Sequence, residues 1–296
     1  MQKYQFQIHM RQFKLSFLMV FVIVLVLATI TPTLTSCQGT TNKSDSNEII
    51  VTVDADGKAK GGHRFTKIDN ANFYIDDIKY TAHNGDLDVS GYDEGFFKGE
   101  AKIISQLNYD GRLMRVRSIS ENAFNDCKVL TSIVIPSSVT SIGNNAFSKC
   151  ENLVSVTIPN TVTRIGEYAF TSCKGITSIA IPDHLTKIEN WAFSGCGITV
   201  ANIPKGVTDI GFNAFGVCTS LKYVTIPETV THIEGCAFMG CTSLFSVKAK
   251  MKTPVEIGVM TFTDCQKNAT LYVPYGSKAF YEYAEYWKDF KEIIEE

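Results

Sequence analysis

Apolar and polar positions alternate along this chain in a pattern that repeats about every 23 residues from Val116 to the C-terminus. Each repeat contains an Ala-Phe pair, or Thr-Phe in the last one, and a cysteine follows three residues later. The pairs are Phe124 with Cys127, Phe147 with Cys150, Phe170 with Cys173, Phe193 with Cys196, Phe215 with Cys218, Phe238 with Cys241 and Phe262 with Cys265. A fixed period of this length predicts coils stacked along one axis, because one coil is too small to bury its own apolar face.

The spacing within one coil predicts two short strands and a turn. Val156 and Ile158 share one face of a strand, because strand side chains alternate with a period of two. Pro159 ends that strand, and Ile165 belongs to a second apolar ridge before the turn at Gly166. With coils stacked about 4.8 Å apart, seven of them span on the order of 35 Å. The pattern therefore predicts an elongated solenoid.

The repeated motif L-x-x-V-x-I-P-x-x-V-x-x-I-G-x-x-A-F-x-x-C resembles the BspA-like, type 5 leucine-rich repeats of bacterial surface proteins. The resemblance covers residues 66–296 and implies a β-rich solenoid of about seven 23-residue coils with stacked parallel strands. It also implies a β-rich N-terminal region and a short α-helical C-terminal cap. The chain departs from the motif in the fourth coil, which is one residue short, and at Glu189 and Glu234, which replace the usual glycine. By analogy, the resemblance implies an adhesive or recognition role.

The N-terminus has the features of an export signal. Lys3, Arg11 and Lys14 precede an apolar stretch over residues 15–30, and the four residues ending at Cys37 look like a bacterial lipobox. The lipobox predicts cleavage before Cys37 and lipidation of that cysteine, which anchors the protein through its lipid. The alternative is an uncleaved membrane anchor, but sixteen apolar residues are short for a span of about 20. The expected location is the bacterial cell envelope, with the lipid anchor in the outer membrane; the sequence leaves open whether the protein faces the cell surface.

The sequence divides into five segments. We expect a signal peptide at 1–36, a flexible tether at 37–48, a β-rich N-terminal region at 49–115, the repeat array at 116–270 and the cap at 271–296. The chain has 28 Lys and Arg against 30 Asp and Glu, with no dense basic run after the signal. This balance does not favour nucleic acid as a partner.

Seven of the nine cysteines form one repeating column. Neighbouring coils would place their alpha carbons within disulfide range, so spacing alone leaves pairing open. We favour a ladder of reduced, buried thiols, because each cysteine follows Ala-Phe in a core-facing turn. A column spreads its sulfurs along a line, whereas zinc gathers four ligands around a point, so neither a metal nor another cofactor is expected.

Cys236 lies outside that column, four residues after His232. A thiol near an imidazole can act as a nucleophile. His232, however, aligns with exposed positions of other coils, and no pattern indicates an oxyanion hole. The sequence therefore predicts a protein that is not an enzyme.

Outward-facing columns are the candidate binding surfaces. Tyr168 and Trp191 occupy one column in consecutive coils, and Phe212 lies one position earlier in the next coil. Such rings can bind a ligand or pack under a neighbouring turn. Tyr223 and Lys248 lie on the first-strand face, which is expected to be flat and weakly polar. A threonine ladder is expected to be structural, with stacked hydroxyls bonding to each other; it consists of Thr140, Thr163, Thr186, Thr208 and Thr231.

Two classes of function follow from these observations. The first is a membrane-anchored recognition or adhesion protein that binds an extracellular protein or a glycan through the solenoid faces. The second is a structural or assembly component of the envelope that binds another envelope protein. The sequence does not determine the oligomeric state.

Overall fold

The computed structural model describes residues 48–296. The predicted signal peptide, the lipidation site Cys37 and all but the last residue of the tether lie outside the described residues. None of the helices in the described part of the chain has the length and hydrophobicity needed to span a bilayer.

The N-terminal part of the described chain is a mainly antiparallel sheet with strand order β1-β7-β8-β5-β4-β3-β2. Its hairpins turn at Asn84-Gly85 and Asp110-Gly111, where both residues of each pair have positive φ. Asn-Gly and Asp-Gly are the pairs that tight hairpin turns favour. The strands of this sheet are β1 (Ile50–Thr52), β2 (Phe65–Lys67), β3 (Asn72–Ile75), β4 (Ile78–His83), β5 (Asp86–Tyr92), β7 (Gln106–Tyr109) and β8 (Arg112–Ile119). A further strand of this region, β6 (Glu100–Lys102), lies outside this sheet.

The remaining chain is a solenoid of stacked parallel strands, which confirms the predicted fold. It has about eight turns, against the seven coils predicted. We number as coils 1 to 6 the segments 130–150, 153–173, 176–196, 198–218, 221–241 and 244–265. The first-strand sheet contains β9 (Ser132–Val134), β11 (Ser155–Thr157), β14 (Val200–Asn202), β16 (Tyr223–Ile226) and β18 (Ser246–Ala249). The second-strand sheet contains β10 (Ser141–Ile142), β12 (Arg164–Ile165), β13 (Lys187–Ile188), β15 (Asp209–Ile210) and β17 (His232–Ile233).

Parallel pairing begins before coil 1. Strand β6 pairs in parallel with β9, and β8 pairs in parallel with β10. Each solenoid sheet therefore takes its first strand from the β-rich N-terminal region, in the turn that contains Phe124 and Cys127.

A stack of seven phenylalanine rings runs through the solenoid core. Neighbouring rings are nearly parallel, with centroids between 5.1 Å, for Phe147 and Phe170, and 5.7 Å, for Phe170 and Phe193. Tyr92 stacks on the first ring and Trp287 packs against the last. Burial of large aromatic side chains is a major source of core stability, so this stack holds the coils together.

The column cysteines are buried beside this stack and are free thiols. Each thiol from Cys150 onward donates to the carbonyl of a phenylalanine in an earlier coil, as Cys150 does to Phe124 over 3.0 Å. Burial raises the pKa of Cys218 and Cys265 to about 12. The predicted inward orientation of the column is confirmed, and the thiols act as small core side chains with a weak hydrogen bond.

The C-terminal cap contains more strand than helix. Helix α1 (Lys278–Tyr283) has only six residues, whereas β19 (Thr270–Val273) and β20 (Glu292–Glu295) continue the first-strand sheet. The Trp287 indole N–H donates to Val255 O over 2.8 Å, and the Tyr281 hydroxyl donates to Met251 O over 2.8 Å. The cap thus seals the apolar end and extends the sheet with parallel strands.

Both solenoid sheets are interrupted at coil 3. Strand β12 does not pair with β13, and residues 178–180 form no strand between β11 and β14. Coil 3 therefore lacks the first strand that the repeat predicts for every coil. On the opposite side the coils remain joined, since Tyr168 N donates to Asn190 O and Phe170 N to Ala192 O. The solenoid opens only on its strand side.

Two side chains of coil 3 account for the lost pairing between β12 and β13. Leu185 stands where coils 1, 2, 4 and 5 have valine, and Glu189 stands where most coils have glycine. A Cβ at Gly211 would come within 2.9 Å of the preceding coil's backbone. Glu234 also replaces glycine, yet its N–H donates to Ile210 O over 2.8 Å, so this replacement alone leaves the ladder closed. Coil 3 combines a larger core side chain with the extra Cβ, and overpacking at its second strand breaks the pairing with coil 2, whereas β13 still pairs with β15 of coil 4.

Candidate functional site

Three aromatic rings form a strip on the turns that follow the second strands. The ring centroids of Tyr168 and Trp191 are 5.7 Å apart with nearly parallel planes, and those of Trp191 and Phe212 are 5.9 Å apart. Tyr168 is 37% exposed and Phe212 is 39% exposed, whereas Trp191 is half-buried between them. We call Tyr168, Trp191 and Phe212 the aromatic strip. The structure thus brings together three of the five predicted site residues.

The backbone of the turn determines where these rings point. Tyr168 and Trp191 have φ values of 57° and 59°, and the equivalent residues of the other coils are also left-handed. Trp191 N donates to Phe212 O over 2.9 Å, which repeats the bond between Tyr168 and the next coil. Because the left-handed turn recurs in register, side chains at this position stack one coil above the next.

Polar groups border the aromatic strip. Asn190 accepts the Phe212 N–H at 2.9 Å through its Oδ1 and donates through its Nδ2 to Glu167 Oε1 over 3.4 Å. Within residues 48–296, neither the Tyr168 hydroxyl nor the Trp191 indole N–H hydrogen-bonds to another protein group. The strip therefore combines an apolar platform with free donors and a nearby carboxylate, the combination that orients a bound ligand.

Tyr223 and Lys248, the other two predicted residues, lie on the first-strand face. Tyr223 is exposed and contacts Phe245 edge to face, with ring centroids 6.3 Å apart. Lys248 forms an ion pair with Glu296 of the C-terminal cap. Phe245 escaped the sequence reasoning, although it stands out as a large aromatic residue in a column that is otherwise mostly polar. These residues form a separate surface from the aromatic strip.

The first-strand face is not flat, contrary to expectation. A cleft of about 680 Å³ opens where the sheet is interrupted, between coils 3 and 4. Its lining includes Lys205, Lys248 and Lys250 together with Asp183 and Ile181. Sequence reasoning missed this cleft because the periodic pattern predicts the same spacing for every coil.

The threonine ladder differs from expectation in its hydrogen bonds. The Thr163 hydroxyl donates to the main-chain oxygen of Thr140 over 3.4 Å, and the Thr231 hydroxyl donates to that of Thr208 over 3.3 Å. The hydroxyls of Thr140, Thr163, Thr208 and Thr231 thus bond to the backbone of the preceding coil and not to each other. Each such bond ties one coil to the next, so the ladder is a structural feature.

Cys236 and His232 do not form a catalytic pair. Cys236 is buried, whereas His232 is exposed and its Nδ1 lies 2.9 Å from Thr231 Oγ1 and 3.4 Å from Asp209 Oδ1. A nucleophile and its base must be within hydrogen-bond reach, and no hydrogen bond joins these two side chains in the described chain. Among residues 48–296, no group of three or more His, Cys, Asp or Glu side chains could hold a metal ion.

Comparison with known proteins agrees with the geometry. No curated protein sequence matches the chain. A crystal structure of a leucine-rich repeat protein from Bacteroides ovatus is 27% identical, with a TM-score of 0.59 over 75% of this chain and 70% of that one. A crystal structure of a leucine-rich repeat protein from T. pallidum is 28% identical, with a TM-score of 0.56 over 64% of this chain and 86% of that one.

The family described as "BspA type Leucine rich repeat region" matches residues 103–222 and 192–294, with six copies of the repeat. Such repeat proteins generally bind other molecules without catalysis, so the family suggests a protein-binding or adhesion role. The match covers most of the described solenoid, and the chain belongs to the BspA-type leucine-rich repeat family.

Proposed function

We propose that this protein is a membrane-anchored, extracytoplasmic recognition or adhesion protein that binds a protein or glycan ligand through its solenoid and performs no catalysis. The observation that carries this proposal is the aromatic strip. Three stacked rings, two of them more than a third exposed, form an apolar platform that crosses three coils. A ligand lying along the solenoid axis would contact all three rings.

Tyr168 and Trp191 both have a left-handed backbone conformation, which aromatic residues adopt at a cost in free energy. Asn122, Asn145 and Asn213 occupy the equivalent left-handed position in other coils, and asparagine tolerates this conformation well. Tyr168 and Trp191 hold it at greater cost, because other side chains pay roughly 1–2 kcal/mol there. Cys236 and Met260 hold the same conformation at a similar cost, so the stacking of the two rings beside Phe212 is what makes them candidates for ligand contact.

The chemistry of the strip suits a sugar ring or an aromatic-rich protein surface. The face of an aromatic ring provides contact area, and the Tyr168 hydroxyl and Trp191 indole N–H provide hydrogen-bonding groups. Glu167 and Asn190 lie beside the rings and can accept from, or donate to, polar groups of a ligand. The lipid anchor predicted at Cys37 would hold this surface at the bacterial envelope, and two or more acyl chains suffice for stable anchoring.

The decisive experiment compares Trp191→Ala with Phe96→Ala on arrays of glycans and extracellular matrix proteins. Trp191 is half-buried rather than fully exposed, so we expect a stability loss of roughly 1–2 kcal/mol together with weaker binding. Binding should fall about 30-fold, which corresponds to about 2 kcal/mol for a hot-spot aromatic. Phe96 is 60% exposed in the N-terminal region, far along the chain from the strip, and its variant should bind normally.

Affinity must be expressed per folded molecule, measured at a temperature where both variants are fully folded. Unchanged affinity of folded Trp191→Ala for every ligand of the parent protein would reject the aromatic strip as the binding surface. The ligand search would then move to Tyr223 and Lys248 on the first-strand face.

A structural role in the envelope is the second candidate, and the cap favours it. Tyr275, Phe280 and Tyr283 are exposed aromatic residues at the C-terminal end of the solenoid. Such a surface could join the solenoid end to another envelope protein. Protease treatment of intact cells separates the two functions, since an outward-facing adhesin is removed and a periplasmic component remains.

A further inference from the structure

The cleft on the first-strand face exposes main-chain groups that other coils use in their sheet. The four residues 178–181 form no backbone hydrogen bond within the described chain. Among the strands that the structure describes, β11 pairs only with β9, and β14 pairs only with β16. The strand side of coil 3 therefore presents N–H and C=O groups without sheet partners, and unpaired main-chain groups of this kind accept an added strand.

The opening has closed ends and an apolar lining. Thr199 N donates to Thr177 O over 3.2 Å on one side, and Thr208 N donates to Thr186 O over 2.8 Å on the other. Between these two bonds, the lining includes inward-facing isoleucines that are buried in regular coils but partly exposed here. They are Ile179 and Ile181, and Ile203 lies opposite. The cleft volume of about 680 Å³ lies within the ~300–1,000 Å³ range of ligand sites.

The cleft carries an excess of positive charge. Lys205, Lys248 and Lys250 line it, against one carboxylate, Asp183. Lys248 is paired with Glu296, whereas Lys205 and Lys250 form no ion pair within residues 48–296. Free ammonium groups at the rim favour a ligand that carries carboxylates.

We propose that this cleft binds an extended, acidic peptide segment of a partner protein. The peptide main chain would hydrogen-bond to the free groups of residues 178–181, as in other cases of strand addition. Its apolar side chains would contact Ile179 and Ile181, and alternate carboxylates would pair with Lys205 and Lys250. An acidic glycan also carries carboxylates, but it has no regular series of amide groups to pair with a strand. The proposal goes beyond the aromatic strip, because it assigns a second surface and a chemical class of partner.

The test uses the purified full chain in detergent and a fluorescein-labelled heptapeptide of alternating Glu and Val with blocked ends. We expect saturable binding in fluorescence anisotropy that weakens as salt rises. Affinity should fall at least tenfold in the double variant Lys205→Ala/Lys250→Ala. The matched control Lys58→Ala/Lys267→Ala removes two lysines outside the cleft that form no ion pair in the described chain, and it should bind as the parent does.

Three further probes separate main-chain pairing from simple charge attraction. An acidic peptide N-methylated at alternate residues should bind at least tenfold more weakly, because it loses amide donors. A peptide of alternating Lys and Val should not bind. Oligogalacturonate should compete poorly, and stronger binding of this glycan than of the peptide would overturn the assignment. Absence of acidic-peptide binding, or full binding by Lys205→Ala/Lys250→Ala, would also overturn it.

A second variant tests the opening itself. Leu185→Val/Glu189→Gly restores the residues of regular coils, so we expect the ladder to close, with slower amide exchange over residues 178–181 and loss of peptide binding. Closure with unchanged peptide binding would contradict the proposal. Trp191→Ala should leave peptide binding intact, so a failure of the aromatic strip and a failure of the cleft can be told apart.

Discussion

Replacing Phe170 with alanine tests the central role of the ring stack. Phe170 is fully buried, with rings stacked on both sides at 5.1 Å and 5.7 Å. Its removal leaves a cavity in a solenoid whose coils cannot easily collapse, so we expect a loss of about 3–5 kcal/mol. At about 2–4 °C per kcal/mol for a domain of this size, the melting temperature should fall by roughly 6–20 °C.

The matched control is Thr163→Ala in the same coil. Thr163 is exposed, and its hydroxyl makes one long hydrogen bond to Thr140 O at 3.4 Å. We expect a loss below about 1 kcal/mol for this variant. Calorimetry measures both losses, and amide hydrogen exchange locates them. Because each coil contacts only its neighbours, exchange should accelerate in coils 2 and 3 before the distant coils. Equal losses for the two variants, or uniform acceleration, would refute the assigned role of the stack.

Two further predictions concern the cysteines. Burial raises the pKa of Cys218 and Cys265 to about 12. Iodoacetamide at neutral pH should therefore alkylate the column thiols only after denaturation. Rapid labelling of the native protein, measured by intact mass spectrometry, would contradict their burial. If Cys37 is the lipidated residue, Cys37→Ser should abolish incorporation of labelled fatty acid and leave the precursor uncleaved, whereas an unmodified mature N-terminus elsewhere would reject the anchor.

The repeating core was predictable because its residues have one role in every coil. Phenylalanine and cysteine recur at a fixed offset, and the structure stacks the rings and buries the thiols beside them. The alternation of Val156 and Ile158 with exposed neighbours likewise corresponds to strand β11. Adjacent aromatic residues in the sequence also identified the strip, since coils in register place Tyr168 and Trp191 next to each other.

Features that depend on contacts between unlike coils were not predictable in the same way. The sequence does not predict the left-handed backbone at Trp191, because tryptophan rarely adopts that conformation. The break between β12 and β13 involves both Leu185 and Glu189, since Glu234 replaces glycine without breaking the ladder, and the cleft lies between coils 3 and 4, where residues 178–181 form no strand. The cap strand β20 pairs with β19 across the eighteen residues 274–291 of irregular chain and helix, which lack the repeat.

Coil 3 departs most from the repeat and contributes to both candidate binding surfaces. Trp191 stands at the centre of the aromatic strip, and residues 178–181 form one side of the cleft. The ring stack on the opposite side stays closed through this coil, with Phe193 packed between its neighbours at 5.7 Å and 5.4 Å. A continuous core can therefore support one coil whose strand side is open. Departures from the repeat that leave the core intact indicate functional positions. We therefore expect variants in coil 3 to change ligand binding without a matching loss of folding stability.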